Sequence, residues 1–183
     1  MSSDAPLDGP SSTGGPDGPP PEVSGEVEAF WALASRSARL SNLPGYLGPT
    51  AIASVMPPAW SLGSTPEQAD ELATLVETGA KTATASAHDD YAAAGEPLPE
   101  PGTLGIVLDG RGSPRALVVT TEVEVLPFAE VSDDHAAAEG EGDGSLGDWR
   151  RRHEQFFAET ATGGFREDML VVLERFRVLH TRD

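Results

Sequence analysis

The hydrophobic period changes from 3.6 to two within residues 64–86, and this change constrains the fold more than any other feature. In "STPEQADELATLVETG", Thr65 is the predicted N-cap, Pro66 occupies the first turn and Gln68 completes a capping box. The apolar stripe of this helix comprises Ala69, Leu72, Ala73 and Val76. Gly79 ends the helix, and "KTATAS" then alternates hydroxyl and methyl side chains as a strand does.

Further strands and helices follow the same two patterns. Alternation predicts a strand, a Gly-rich turn and a strand over 103–128, and another strand over 169–180. Between them, Ser132 caps a predicted short helix through Ala138, and Ser145 caps a longer one. The stripe of that longer helix comprises Leu146, Trp149, His153 and Phe156. A few strands with long helical connections indicate an α+β fold, with a curved sheet or small β-barrel partly covered by helices.

The N-terminal part is organised differently. Residues 1–25 consist mostly of Pro, Gly, Ser and Asp and predict a disordered tail. Residues 26–59 form a predicted N-terminal helix, over 26–41, and a linker that begins with the helix-breaking "NLPGYLGPT". The helical stripe comprises Val27, Phe30, Trp31, Ala34 and Ala38. Residues 60–183 form the predicted main domain.

Composition excludes several classes of protein. The chain has no Cys, which excludes disulfides, thiolate metal sites and Cys nucleophiles. Its net charge is -18, and it is still -14 without the four acids of residues 1–25, so long polyanions and anionic membranes are repelled. No apolar run approaches the roughly 20 residues of a membrane span, and the N-terminus lacks the features of a secretory signal. We expect a cytoplasmic protein without membrane contact.

The basic residues contain an exception. Eleven of the 12 are Arg, and the single Lys, Lys81, stands directly before a row of hydroxyls. Lys81 is either a surface residue that complements a helix C-terminus or an amine that loses its proton in a cleft, which Arg cannot do. Thr82, Thr84 and Ser86 are either ordinary strand residues or partners of Lys81 in an activated nucleophile.

The acidic run "SDDHAAAEGEGDGS" allows three interpretations. It is a solvated loop, a metal site formed by His135, Glu139, Glu141 and Asp143, or the source of a carboxylate that orients Lys81. Glu139 is the best candidate for that carboxylate. We expect no metal and no cofactor.

These segments together resemble the ASCH domain, a member of the PUA-like superfamily. The motifs are "GAKTAT" and "EGEGDGSLGDWRRRH", and the resemblance spans about Trp60 to Leu179. The second motif resembles a larger subgroup that carries E-G-E-G-D-x-S-L. The resemblance implies a PUA-like β-barrel surrounded by helices, with a cleft beside "GAKTAT" for RNA or nucleotide-like ligands.

The resemblance also implies candidate activities. One ASCH subgroup hydrolyses the amide of N4-acetylcytidine with a Lys, a Thr and a Glu that match Lys81, Thr84 and Glu139. Another branch is associated with ribonuclease activity, for which His135 or His153 would be the acid or base. The remaining alternative is a non-catalytic module that binds RNA or a nucleotide.

The acidic surface favours a small uncharged ligand, so a metal-independent amide hydrolase acting on a modified nucleoside is the first expectation, with a nucleoside or short RNA as partner. Trp149 or Tyr91, the latter in a predicted mobile loop, would stack on the base. The expected substrate-binding residues are Thr82, Ser86, Tyr91, Glu141, Asp143, Ser145, Trp149, Arg150 and His153. The sequence carries no prediction of oligomeric state.

Overall fold

The computed structural model describes residues 25–37 and 56–182. The predicted disordered tail and the predicted helix break after residue 41 therefore lie almost entirely outside the described residues. The helices are α1 Gly25–Ser37, α2 Pro66–Glu77, α3 His88–Ala94, α4 Asp133–Glu139 and α5 Leu146–Thr160, with a 3-10 turn at Phe128–Glu130. The strands are β1 Ala59–Ser61, β2 Ala83–Ala87, β3 Leu104–Leu108, β4 Pro114–Pro127 and β5 Leu170–Thr181.

One mixed sheet organises the fold, in the order β1-β3-β4-β5-β2. β1 pairs with β3 in parallel, and the remaining neighbours are antiparallel. Register shifts interrupt β4 in two places where it pairs with β5, and such shifts bend a strand. The sheet curls into a half-barrel covered by helices, which confirms the predicted α+β, PUA-like architecture.

Three apolar clusters attach the helices to the sheet. α1 packs Val27, Phe30, Trp31 and Ala34 of its predicted stripe against β3 and β4, and the fifth member, Ala38, lies outside the described residues. α2 packs Ala73 and Val76 against a second cluster on β3, β4 and β5. α4 and α5 cover a third cluster next to β2 and β5. The packed faces explain why the 3.6-residue and two-residue periods in the sequence locate these elements.

The predicted caps are present. The side chain of Thr65 accepts a hydrogen bond from the Gln68 amide, Ser132 from the His135 amide and Ser145 from the Asp148 amide. The capping box at α2 differs in one detail, because the Gln68 side chain accepts from the amide of Ser64 rather than that of Thr65. Gly79, with φ of 76°, follows the end of α2 as predicted.

Three local predictions were wrong. Residues 88–94, expected within a mobile loop, form α3, which two Asp residues in its first turn and a left-handed Gly95 at its end favour. β1 was missed because three residues are too short to show a period. On α5 the fully buried ring is Phe157, while Phe156 is only partly buried. A step of four residues from Trp149 and His153 reaches Phe157, which keeps it on the same helical face.

Asp109 fixes the turn between β3 and β4. Its Oδ1 accepts hydrogen bonds from the amides of Arg111 and Ser113 at 2.9 and 3.0 Å. Burial opposes ionisation, but these two bonds and Arg115 lower the pKa of the carboxyl below its usual value.

We expect Asp109→Asn to lower the free energy of unfolding by about 1–2 kcal/mol, because one charge-assisted acceptor is lost. Because the pKa of Asp109 is lower in the folded state than in the unfolded state, ionised Asp109 stabilises the folded state above the unfolded-state pKa of about 4. This stabilisation is lost as pH falls through the folded-state pKa. Urea unfolding at pH 7 and pH 3 measures the difference in free energy of unfolding between wild type and Asp109→Asn. This difference should be smaller at pH 3. An equal difference at both pH values would contradict a stabilising role for the Asp109 charge.

Candidate functional site

Lys81 lies in the turn that connects α2 to β2. Its amide donates to the carbonyl of Leu75 at 2.9 Å, which closes the end of α2. The amide and the hydroxyl of Thr82 both donate to the carbonyl of Ala138, at 2.8 and 3.2 Å. The turn is thereby fixed to the end of α4, and the Lys81 side chain is only 1% exposed.

The Lys81 ammonium lies between two carboxylates. Nζ donates to Glu139 Oε2 at 2.8 Å and to Glu141 Oε1 at 2.6 Å. Burial would lower the pKa of Lys81, but the charges and hydrogen bonds of Glu139 and Glu141 outweigh burial and raise that pKa. Lys81 is buried, as the cleft interpretation expected. Its raised pKa keeps the amine protonated, whereas that interpretation expected a neutral amine. Among the described residues no acceptor takes the third N–H of this ammonium.

Glu139 is the most heavily hydrogen-bonded carboxylate of this cluster. Oε1 accepts from Trp149 Nε1 at 2.7 Å and from His135 Nε2 at 3.1 Å, and His153 Nε2 lies 3.5 Å from Oε2. Burial opposes its ionisation, but Lys81, followed by the two His residues, lowers the pKa of Glu139 well below its usual value. Glu139 is therefore a fixed anion at the end of α4.

Two glycines bring Glu141 to Lys81. Gly140 and Gly142 have φ of 66° and 57°, in the left-handed region that favours glycine. A Cβ at Gly140 would overlap the carbonyl oxygen of Ala80, and one at Gly142 would overlap the Asp148 carboxylate. The chain can therefore leave α4, place Glu141 on Lys81 and approach α5 within three residues only with glycine at both positions.

A cavity of about 1040 Å³ opens beside this cluster. Of the predicted site residues, its lining contains Lys81, Thr84, Ser86, Tyr91, Glu139, Glu141 and His153. Among the residues that the structure describes, seven acidic side chains but only two basic ones, Lys81 and Arg152, line it. This excess of negative charge disfavours phosphate-rich ligands and suits a neutral or donor-rich one.

Thr84 faces the cavity from β2. Ala83 and Ala85 are buried, while Thr84 between them is partly exposed, as alternation along a strand requires. The Thr84 hydroxyl has no hydrogen-bond partner within residues 25–37 and 56–182, and no bond joins it to Lys81. The two groups thus share a cavity without direct contact, and a ligand between them would meet an unengaged hydroxyl.

Comparison with known proteins identifies the family of this fold and cavity. The family model described as ASCH domain matches residues 58–180. The chain belongs to the ASCH domain family.

Two crystal structures are similar to this ASCH domain. One is the ASCH domain from Lactobacillus crispatus JV V101, with a TM-score of 0.71 and 30% identity, covering 87% of this chain and 97% of that chain. The other is protein EF3133 from Enterococcus faecalis V583, with a TM-score of 0.69 and 35% identity, covering 84% of this chain and 87% of that chain. No curated protein sequence matches.

Five of the predicted substrate-binding residues lie outside the cavity of the ASCH domain. Thr82 holds the turn to α4, Ser145 caps α5 and Asp143 accepts from the Ser145 amide. The Arg150 guanidinium donates to the carbonyl of Ala129. These four residues shape or flank the site without lining its cavity.

Trp149 is the fifth, and its expected role as a stacking platform was wrong. One face of its ring lies on Phe128, at a centroid distance of 5.2 Å, and the other on His153, at 4.1 Å. The side chain is 3% exposed. With both faces covered, Trp149 cannot stack on a base, and its Nε1 donates to Glu139 instead.

The lining residues that sequence reasoning missed include Trp60, Thr120 and Glu174. Trp60 lies on the strand that was not predicted, and Thr120 resembles any other strand Thr. Glu174 carried a usable signal, because it interrupts the apolar run "MLVVLERF" on a central strand.

Two absences apply to the part of this ASCH domain that the structure describes. No helix there is long and apolar enough to cross a membrane. No group of three or more His, Asp or Glu side chains there is arranged as a metal site. The four possible metal ligands of the acidic run have other partners or positions. His135 donates to Glu139, Glu141 pairs with Lys81, and Asp143 lies outside the cavity.

Proposed function

We propose that this ASCH domain hydrolyses an amide on an uncharged modified nucleoside, represented by N4-acetylcytidine, without a metal. The observation that carries the proposal is the buried ammonium of Lys81, held by two carboxylates at the edge of an acidic cavity with one N–H unused. A buried cation with a spare donor suits the oxygen of a carbonyl whose negative charge grows during attack.

In the first step the Thr84 hydroxyl attacks the acyl carbonyl. Glu141, the more exposed of the two carboxylates, takes the hydroxyl proton, and the spare N–H of Lys81 stabilises the oxyanion. The acyl C–N bond then breaks, and Lys81 gives a proton to the departing amine. Glu141 returns its proton to Lys81 across their 2.6 Å hydrogen bond. Water releases the acyl group by the reverse transfers.

The raised pKa of Lys81 is compatible with this sequence of proton transfers. The charge of Glu141 is one of the causes that raise it. Once Glu141 has taken the nucleophile's proton, that charge is gone, while the burial that favours a neutral amine remains. Lys81 therefore gives up its proton more readily once attack has begun, while Glu139 remains as its charged partner.

The expected ribonuclease role has less support. His135 donates through Nε2 to Glu139, and His153 donates through Nδ1 to the carbonyl of Trp149 while its Nε2 faces Glu139. Both nitrogens of His153 therefore face acceptors already, and His135 is not among the residues that line the cavity. The seven acids of the cavity also oppose a phosphate backbone.

The test measures cytidine and acetate released from N4-acetylcytidine in EDTA. We expect turnover by the wild type and a loss of about 10²- to 10⁴-fold in Thr84→Ala, with activity restored by Thr84→Ser. Thr74→Ala is the matched control and should retain activity, because Thr74 is exposed on α2 and its hydroxyl donates only to the carbonyl of Asp70 within that helix. No turnover together with salt-dependent RNA binding would contradict the hydrolase and favour a binding module. RNA cleavage lost in His153→Ala would favour a nuclease.

A further inference from the structure

A second polar group lies in the cavity, and the proposed catalytic cluster does not use it. Glu174 stands on β5, a central strand, directly opposite Thr84 of β2. Side chains of directly opposed residues project from the same face of the sheet, with Cβ atoms roughly 5 Å apart. Glu174 and Thr84 are therefore neighbours in the cavity lining.

The hydrogen bonding of Glu174 is incomplete. Its Oε2 accepts from the Thr120 hydroxyl at 3.0 Å, and within the described residues Oε1 has no donor. No basic side chain of the described residues lies within ion-pair distance of Glu174, and the adjacent Arg175 pairs with Glu122 instead. In contrast, Glu139 and Glu141, the two carboxylates beside Lys81, are ion-paired.

The side chain of Glu174 is partly buried. Burial raises the pKa of its carboxyl, which the bond from Thr120 only partly opposes. The charge of Glu174 also contributes to the raised pKa of Tyr91, after burial as the larger cause, so the two groups interact. The Tyr91 hydroxyl is already paired with Ser86 at 2.9 Å. A ligand that displaces water from this region must supply the missing donor to Glu174.

We infer that Glu174 is a specificity-determining residue that accepts the N–H of the scissile amide, so that the ASCH domain selects secondary amides over tertiary ones. This inference rests on the proposed hydrolase. An amide carbonyl and its N–H point in opposite directions. A carbonyl carbon placed at Thr84, with its oxygen toward Lys81, therefore directs the N–H away from Lys81. Glu174 Oε1, beside Thr84, offers an acceptor there, and Thr120 holds the carboxylate in place.

The experiment compares N4-acetylcytidine with its N4-methyl derivative, whose amide has no N–H. We expect the wild type to prefer the secondary amide by about 10- to 100-fold in kcat/KM. Glu174→Met, similar in length but without an acceptor, should reduce that preference to within roughly threefold, mainly through a higher KM for the secondary amide. Glu174→Asp should restore part of it. Glu122→Gln, which removes an exposed carboxylate on β4, is the matched control and should leave the preference unchanged.

The outcomes separate the two proposals. Equal wild-type turnover of both amides would overturn the inference and leave the hydrolase standing. The same holds if Glu174→Met slows both substrates equally and keeps the preference, since that indicates a structural role. If the wild type hydrolyses neither amide, the hydrolase and this inference both fail.

Discussion

Replacement of Glu139 by Ala is expected to lower the free energy of unfolding by about 3–5 kcal/mol, because it breaks a buried ion pair and removes the acceptor of several buried donors. Glu139 is 1% exposed and accepts hydrogen bonds from Lys81, His135 and Trp149. Its removal leaves the buried Trp149 N–H without its acceptor and Lys81 with one carboxylate instead of two. The matched control is Glu77→Ala, which removes a carboxylate from the partly exposed pair with Arg115. That change should cost about 1 kcal/mol or less.

Urea unfolding at pH 7 measures the free energy of unfolding of both variants. The Glu139 pKa is strongly lowered in the folded state, so its stabilisation is present above the unfolded carboxyl value of about 4.3 and is lost as pH falls. The difference between wild type and Glu139→Ala should therefore shrink below that pH. Equal losses in Glu139→Ala and Glu77→Ala at pH 7 would show that Glu139 does not hold the site together.

Replacement of Lys81 by Arg is expected to lower kcat/KM for amide hydrolysis by at least about 10³-fold. Arg retains the positive charge between Glu139 and Glu141, but it cannot transfer a proton to the departing amine. If Lys81 served only as a fixed charge, Arg would preserve much of the activity. Arg152→Lys is the matched exchange, because Arg152 lines the cavity and has no proton-transfer role. It should change kcat/KM by less than about threefold.

The Arg side chain is larger, so lost activity in Lys81→Arg needs a check for altered folding. Cytidine, the expected product, serves as the probe: its affinity for the variant should stay within a few-fold of the wild-type value if the cavity is intact. A folded, cytidine-binding and inactive Lys81→Arg variant assigns the loss to the proton rather than to packing.

Local signals located most of the fold correctly. The helix N-caps at Thr65, Ser132 and Ser145 could be predicted from the sequence, because each capping side chain accepts a hydrogen bond from an amide only three residues away. The α+β architecture followed from the change of period, since each period has a packed face in the structure. β1 could not be predicted, because its pairing with β3 connects residues more than 40 positions apart. Its three residues are also too few to show a hydrophobic period.

The site was predictable in part for a related reason. Lys81 stood out as the only Lys, and the structure brings it to Glu139 and Glu141. Its charge state was not predictable, because that depends on two carboxylates 58 and 60 residues away. The covering of Trp149 by Phe128 and His153 and the position of Glu174 opposite Thr84 also arise only in the folded chain.

Proton transfer by Lys81 is tested by the rate of acetate release from N4-acetylcytidine by wild type and Lys81→Arg, measured in EDTA. We expect turnover by the wild type and a kcat/KM at least about 10³-fold lower for the Arg variant, with cytidine affinity retained. An Arg variant within about tenfold of the wild type would contradict proton transfer by Lys81.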